Sequence, residues 1–227
     1  MRFATNLDHK KFFHKNRYIE FTQIFSANEA KALKENADRI LAKRLACKEE
    51  QIAKKPSKDI FSQGRDFWRE DAACKKIALH QNLANIAASL VGAQTFRMGY
   101  DHYIRKGYDP IVLSPTSLQD ISSVQKIYGG MLIRVSGTSE PSSEETAFPI
   151  PKSPGDAIFF HPEYLLSWQD LFQDLESSFY LVVYAHGEAR YIPNEKDIQP
   201  NFLKKVGYMQ GEFLRNDLSP LFPIKHV

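Results

Sequence analysis

Histidine and carboxylate side chains give this sequence its clearest capacity for chemistry, because together they bind divalent cations. His102 and His161 fall in predicted strands or at their ends, where the binding sites of β-barrels open. With Asp120 they could converge near a barrel mouth and hold a cation. Four aromatic residues could shape the adjoining pocket, namely Tyr100, Tyr103, Phe160 and Trp168. A strand histidine is more often a hydrogen-bonded structural residue than a ligand, so both interpretations stay open.

Signatures of other common catalytic centres are absent from the sequence. It has no glycine-rich phosphate loop, no Gly-x-Ser-x-Gly and no His-Glu-x-x-His. Cys47 and Cys74 form no Cys-x-x-Cys motif. Two such cysteines favour a reduced compartment over a disulfide framework, and we expect a cytoplasmic protein.

Composition limits the classes of partner. The 227 residues have a net charge of +3, and acids are interleaved with the bases of the Lys-rich residues 43–65, so nucleic acid is not a favoured partner. No run of 18 apolar residues is present, which predicts no transmembrane helix. The first residues lack the apolar stretch of a signal peptide.

Helical periodicity dominates the first 92 residues. Ser26 and Glu29 have the spacing of a capping box, and the apolar residues that follow predict a helix over about 27–46. A second helix is predicted from about Asp71 to Val91, with Gly92 as its left-handed cap. Between the two helices, residues 48–64 are interpreted as a solvated loop. The residues before Ser26, RYIEFTQIF, are typical of a strand.

From residue 94 the apolar period changes from about 3.6 to 2, which predicts short strands. The predicted strands are TFRMGYDHYI, GGMLIRVSG, ETAFPIP, DAIFF and SFYLVVYAHG. Strands that follow helices without alternation predict an α+β fold, a jelly-roll or barrel with the N-terminal helices packed on one face. We expect a single domain over 1–227, with helical support over about 1–92, a β core over about 94–190 and a C-terminal extension over 191–227.

Three stretches between residues 18 and 215 match the pattern of a known family: YIEFTQIFSANEAKALKENADRIL, LANIAASLVGAQTFRMGYDHYI and FLKKVGYMQGEFL. They resemble the phytanoyl-CoA dioxygenase-like branch of the Fe(II)/2-oxoglutarate-dependent dioxygenases. The resemblance implies a double-stranded β-helix, a jelly-roll or cupin-like barrel. In that family the barrel holds iron through two histidines and a carboxylate, and leaves open positions for 2-oxoglutarate and oxygen.

The resemblance also implies which positions should carry the ligands, and most of them carry other residues here. In SLQDISSV, Asp120 matches the carboxylate, whereas Leu118 replaces the first histidine. In GDAIFFHPEYLLSW, Leu166 replaces the second histidine. Ser177 and Ser178 stand where the family's arginine binds 2-oxoglutarate. Leucine has no lone pair for a metal, and serine cannot form the bidentate contact of arginine with a carboxylate.

We therefore expect a dioxygenase-fold protein that has lost the iron reaction, needs no cofactor and binds an unidentified small molecule or protein. Leu118, Asp120 and Leu166 should lie together on the inner face of the barrel. One alternative is an iron oxygenase that uses Fe(II) and 2-oxoglutarate through relocated ligands, namely His102, Asp120 and His161. A second alternative is a DNA-binding or metal-responsive regulator. No membrane partner is expected.

Overall fold

Helices dominate the first part of the chain and long strands the second. The computed structural model describes residues 5–107, 109, 115–137, 149–171 and 176–224. The helices among these residues are α1 (Leu7–Asn16), α2 (Ala27–Arg44), α3 (Ser57–Gln63), α4 (Ala72–Ala78), α5 (Gln81–Val91), α6 (Trp168–Leu171) and α7 (Phe202–Lys205), with 3-10 helices at Glu49–Lys54 and Phe67–Arg69. The strands are β1 (Tyr18–Phe21), β2 (Phe96–Arg105), β3 (Ile127–Ser136), β4 (Ala157–Phe160), β5 (Ser178–His186) and β6 (Leu221–Phe222).

Helix α2 forms where the sequence predicts it. The Ser26 hydroxyl accepts a hydrogen bond from the Glu29 backbone N–H at 3.3 Å, and the Glu29 carboxylate accepts one from the Ser26 backbone N–H at 2.9 Å. This reciprocal pair satisfies two backbone donors that the first turn leaves free. Leu33, Ala37 and Leu41 are buried along one side of the helix, which packs on β3. The capping box and the apolar spacing together account for this helix.

In the first 92 residues, two local predictions are wrong and one helix was missed. The expected loop over 48–64 holds a 3-10 helix and α3. The expected helix from Asp71 to Val91 is two helices, because His80 adopts an extended conformation (φ −69°, ψ 110°) and starts α5 afresh. Helix α1 was not predicted, since its Lys-rich sequence buries only Phe13 among its ten residues. Gly92 does end α5 in the left-handed conformation, with φ 66°.

All six strands belong to one curled antiparallel sheet, in the order β1-β4-β3-β5-β2-β6. Five of the six predicted strands appear in it, since β1 lies within RYIEFTQIF. In the remaining one, ETAFPIP, residues 145–148 lie outside the described residues and 149–151 form no strand. The chain is thus a mixed helix-and-sheet protein. The division into one domain with three parts stays a prediction, and none of the described helices has the length and apolar character that crossing a membrane requires.

The sheet is buried on both faces, and each face belongs to a separate apolar cluster. On β5, the residues Tyr180, Val182 and Tyr184 pack with the helices. The alternate residues point to the other side, which we call the inner face; it carries Tyr100, Leu132, Ile158, Phe160, Phe179, Leu181 and Val183. Since side chains alternate along a strand, the register decides which residues reach the inner face. In that register His102 pairs with Leu181, and Gly130 pairs with Phe160 and Val183.

The helix-facing side contains a buried carboxyl group. Asp101 Oδ2 accepts hydrogen bonds from the Trp68 backbone N–H at 3.0 Å and from the Tyr180 hydroxyl. Its Oδ1 has no hydrogen-bond partner among the described residues. Burial, and then the neighbouring Asp66 carboxyl, raise the pKa of Asp101 to about 7. The folded protein therefore holds a proton on Asp101 that the unfolded chain releases at a much lower pH.

The pH dependence of stability should report this proton. Because the folded pKa of Asp101 lies above its ordinary value of 3.8, the free energy of unfolding should fall as the pH rises from about 4 through 7. Asp101→Asn should reduce this pH-dependent loss in the free energy of unfolding by on the order of a few kcal/mol. Urea unfolding at several pH values measures it. Asp59→Asn, at an exposed position of α3, is the control and should keep the wild-type slope. A wild-type slope in Asp101→Asn would contradict the assignment.

Candidate functional site

Apolar side chains meet over Gly130 on the inner face. A Cβ atom built on Gly130 would lie 2.7 Å from Phe160 Cζ, 2.8 Å from Leu118 Cδ1 and 2.9 Å from Leu181 Cδ1. Side chains this close leave room only for glycine. Leu118, at the position of the first histidine in the family pattern, therefore lies on the inner face and packs against the sheet.

Leu166, at the position of the second histidine, belongs to the same cluster. It pairs with Thr116 in an antiparallel bridge, in which the two backbone N–H groups donate to the opposite carbonyls at 3.0 and 3.2 Å. The Trp168 indole N–H donates to the Thr116 hydroxyl at 2.8 Å and fixes the segment further. Leu118 and Leu166 are 0% and 1% exposed. The two positions are thus filled by buried apolar packing.

Asp120 has different surroundings from these two leucines, and the expectation that all three lie together on the inner face stays a prediction. Its Oδ2 accepts hydrogen bonds from the Ser117 hydroxyl at 2.7 Å and from the Ser117 backbone N–H at 3.3 Å. These hydrogen bonds lower the pKa of Asp120. The residue is exposed and lines a surface cavity of about 860 Å³. The tight turn at Ser117 thus holds the carboxylate at the surface.

The two strand histidines are held in different surroundings. His102 is buried on β2, and its Nε2 lies 2.9 Å from the Phe61 carbonyl, which can only accept a hydrogen bond. Burial, and then the Arg65 charge, hold the pKa of His102 at about 3, so its ring is neutral with Nε2 protonated. His161 follows β4 at the partly exposed surface, with Nδ1 3.7 Å from a Glu163 carboxylate oxygen. Burial also lowers the pKa of His161.

The relocated metal site predicted from His102, Asp120 and His161 is not assembled. Among the described residues, no group of three or more histidine, cysteine, aspartate or glutamate side chains is placed to hold a metal ion. The physical reason is that His102 is committed to a carbonyl, while Asp120 is committed to Ser117. Three partners in three different surroundings cannot share one ion at about 2 Å.

Three of the four predicted pocket aromatics share the inner cluster. Tyr100, Phe160 and Trp168 belong to it, and the Phe61 ring links Trp168 to His102 at centroid distances of 5.2 and 4.4 Å. Tyr103 is the exception, because alternation along β2 turns it to the helix-facing side. There its hydroxyl donates to Asp38 at 2.8 Å. Tyr103 therefore takes no part in the inner face.

Ser177 and Ser178 stand at the start of β5, where the family pattern has its arginine, and both make hydrogen bonds. The Ser178 and Ser136 hydroxyls lie 2.6 Å apart. The Ser177 hydroxyl accepts a hydrogen bond from Arg134 Nη1 at 2.8 Å. Arg134 is a buried residue of β3 that sequence reasoning missed, and its guanidinium also donates to the Pro151 carbonyl at 2.5 Å. Its position on the inner face follows from the strand register and has no local signal.

The side chains at these five positions do not fit an iron ion or the distal carboxylate of 2-oxoglutarate. Leu118 and Leu166 offer no donor atom, and Asp120 is turned away to the surface. Ser177 and Ser178 carry no charge to balance a carboxylate. The arrangement lacks the donor set for iron chemistry at this place.

A second polar feature lies beside the inner face and was also missed. It is a cavity of about 510 Å³, which we call the arginine cavity; its lining includes Arg44, Arg65, Asp66, Arg69, Glu70, Gln199, Phe202 and Lys205. Arg65 connects it to the inner face, since its guanidinium lies 4.0 Å from the centre of the Tyr100 ring. Arg65 also forms an isolated backbone bridge with His102. The residues of this cavity come from distant parts of the chain, so no sequence motif marks them.

Comparisons with known proteins identify the fold. No protein-family model matches the chain, and no curated protein matches it. Among solved structures, the α-ketoglutarate-dependent carbocyclase SnoK of nogalamycin biosynthesis is similar over 96% of both chains, with a TM-score of 0.67 and 14% identity. The epimerase SnoN, in complex with Fe3+, α-ketoglutarate and a nogalamycin compound, matches 94% of this chain and 97% of its own at TM-score 0.67 and 16% identity.

A third similar structure is CT296 from Chlamydia trachomatis. It matches 82% of this chain and 97% of its own, with a TM-score of 0.51 and 16% identity. At these identities the likeness is one of fold. The chain thus has the fold of the iron- and 2-oxoglutarate-dependent oxygenases, as the sequence resemblance implies.

The packing of Leu166 can be tested with two adjacent leucines. Leu166→Ala should lower the free energy of unfolding by about 2–5 kcal/mol, because it opens a cavity in the inner cluster. Leu165→Ala is the matched control. Leu165 is 60% exposed, so its loss should change stability by no more than about 0.5 kcal/mol. Urea unfolding measures both variants, and equal effects would show that Leu166 is not packed as described.

Proposed function

We propose that this protein keeps the double-stranded β-helix of the phytanoyl-CoA dioxygenase-like branch, has lost the iron- and 2-oxoglutarate-dependent reaction, and works in the cytoplasm by binding a small molecule or a protein. The observation that carries the proposal is the burial of Leu118 and Leu166 in one apolar cluster with Phe160 and Leu181. In the related enzymes, these positions would supply both metal-binding imidazoles.

The physical argument concerns what an ion needs on leaving water. Fe(II) gives up hydration only when several donors replace it, and a single carboxylate is not enough. Here the side chains pack tightly over Gly130, since a Cβ atom on that glycine would lie less than 3 Å from Leu118 and Leu181. Neither metal ligands nor hydration water have room at that point. An apolar surface of this kind is suited to packing or to an organic ligand.

Two further observations support the barrel and the reduced compartment. The bridges Thr116↔Leu166 and Val124↔Tyr191 lie outside the six-stranded sheet, as expected for a second layer of strands facing its inner side. Both cysteines are free thiols, and Cys74 is buried. No observation on the described residues favours the relocated iron site or a nucleic-acid-binding regulator over this proposal.

Metal and co-substrate titrations test the lost reaction. Calorimetry with Mn(II) and 2-oxoglutarate should show no saturable binding. In a second assay, protein exposed to oxygen with Fe(II) and 2-oxoglutarate should produce no succinate above a protein-free control. The reason is that Leu118, Leu166, Ser177 and Ser178 provide neither imidazoles nor a guanidinium. Stoichiometric metal binding, or succinate formation, would overturn the proposal. The variants His102→Ala and His161→Ala would then identify the ligands.

Rebuilding the site tests whether the backbone retains the enzyme geometry. Leu118→His with Leu166→His supplies two imidazoles, and the family pattern assigns the third ligand to Asp120, whose carboxylate would have to leave Ser117. Three ligands are needed before chelation outweighs dehydration, so Mn(II) should raise the Tm of the double variant and of neither single variant. Each unpaired imidazole should cost about 1–3 kcal/mol of stability without metal. A folded double variant with no response to Mn(II) would show that these positions no longer converge.

A further inference from the structure

The arginine cavity gathers cationic side chains from three regions of the chain. Arg44 lies at the end of α2, and Lys205 lies at the end of α7. Arg69 ends the 3-10 helix at Phe67–Arg69, and Arg65 lies two residues before that helix. Asp66 and Glu70 are the acidic residues of the lining. Its volume of about 510 Å³ is that of a site for a small organic molecule.

Some of this charge is already neutralised within the protein. The Arg44 guanidinium donates to the Glu70 carboxylate at 2.5 and 3.0 Å and to the Gln63 and Arg65 carbonyls at 2.6 Å each. Arg65 Nη1 forms an ion pair with Asp197 at 2.5 Å. Arg69 Nη2 donates a hydrogen bond to the Leu218 carbonyl. Arg44 and Glu70 thus form a structural pair, and the remaining capacity of the cavity lies with single atoms of Arg65, Asp66 and Arg69 and with Lys205.

Three buried polar atoms in the cavity wall have no hydrogen-bond partner among the described residues: Arg65 Nε, Arg69 Nε and Asp66 Oδ1. Arg69 Nε and Asp66 Oδ1 lie 3.7 Å apart, which is an ion-pair distance but too far for a hydrogen bond. Two of these atoms are charged donors and the third is an acceptor. Leaving such groups unpaired costs free energy that a bound molecule can recover.

Asp66 is also held in an uncommon backbone conformation. Its φ of 62° lies in the left-handed region, which side chains other than glycine rarely adopt. Its backbone N–H donates to the Asp101 carbonyl at 3.0 Å, which fixes the residue to β2. Uncommon backbone conformations cluster at ligand-binding positions, and here the residue directly follows Arg65 in the chain and forms an ion pair with Arg69.

We propose that the arginine cavity binds a small organic anion, a carboxylate or a phosphate ester, that carries a hydroxyl or ammonium group next to its charge. The anionic group pairs with the Arg65 and Arg69 guanidiniums, with Lys205 at the rim. The neighbouring hydroxyl or ammonium donates to Asp66 Oδ1. Phe202, whose ring lies 5.7 Å from the Arg69 guanidinium carbon, covers one side of that arginine.

This inference rests on the proposed function in one respect: it names the ligand class of a protein that acts by binding. Calorimetry with two matched pairs of probes tests it. Malate should bind at least about fivefold more tightly than succinate, and glycerol 3-phosphate more tightly than methyl phosphate, because only the first of each pair can donate to Asp66. The pair with the higher affinity shows whether the natural anion is a carboxylate or a phosphate.

Four variants locate the binding. Arg69→Gln should weaken malate binding about tenfold, and Lys205→Gln about threefold. Asp66→Gly suits the positive φ and should remove the preference for malate over succinate. Lys204→Gln is the matched control, since Lys204 is an exposed neighbour on the same helix that does not line the cavity, and it should leave affinity unchanged.

The possible results separate this inference from the proposed function. No saturable binding of any probe below about 10 mM overturns the inference, as does binding that Arg69→Gln and Lys205→Gln leave unchanged. If Arg69→Gln does not fold, Lys205→Gln and Asp66→Gly decide the question. Stoichiometric Mn(II) binding that is unaffected by these variants would overturn the proposed function while the anion site stands.

Discussion

The burial of β5 on both faces is the constraint on which the rest of the structure depends. Every residue from Ser178 to Ala185 is buried, so each side chain has to suit one of two different environments. Tyr180, Val182 and Tyr184 pack with the helices, and their neighbours in the sequence lie on the inner face. A shift of one residue in register would exchange the two sets. The helical layer, the inner cluster and the positions beside them are therefore fixed together.

The same alternation separates apolar and polar roles. The inner face gathers Leu118, Leu166 and Phe160 in one apolar cluster, and such a surface disfavours a hydrated metal ion. Charge instead collects beside it, in the arginine cavity, where Arg65 spans the two regions through its contact with Tyr100. A fold can keep its framework while the place of chemistry moves, because function resides in particular side chains rather than in the architecture.

Buried polar contacts join parts of the chain that apolar packing alone would leave independent. Arg65 reaches across 132 positions to Asp197, and Arg97 donates to the Leu214 and Ser219 carbonyls at 2.5 and 2.9 Å. These contacts attach the C-terminal segment to the strands, and residues 198–202 of that segment line the arginine cavity. Since an unpaired buried charge is costly, the breaking of either contact should loosen that segment.

Local pattern determined much of the fold: the Ser26 capping box began α2, Gly92 ended α5, and period-2 spacing marked the long strands. The sequence also predicted leucines and serines at the positions that the family resemblance assigns to ligands, and this assignment stays a prediction. Only the tertiary structure decided that Leu118 packs over Gly130, that Tyr103 faces the helices, and that three arginines share a cavity. The physical reason is distance along the chain. Helices, caps and strands depend on near neighbours, whereas a site depends on register and on hydrogen bonds between residues dozens of positions apart.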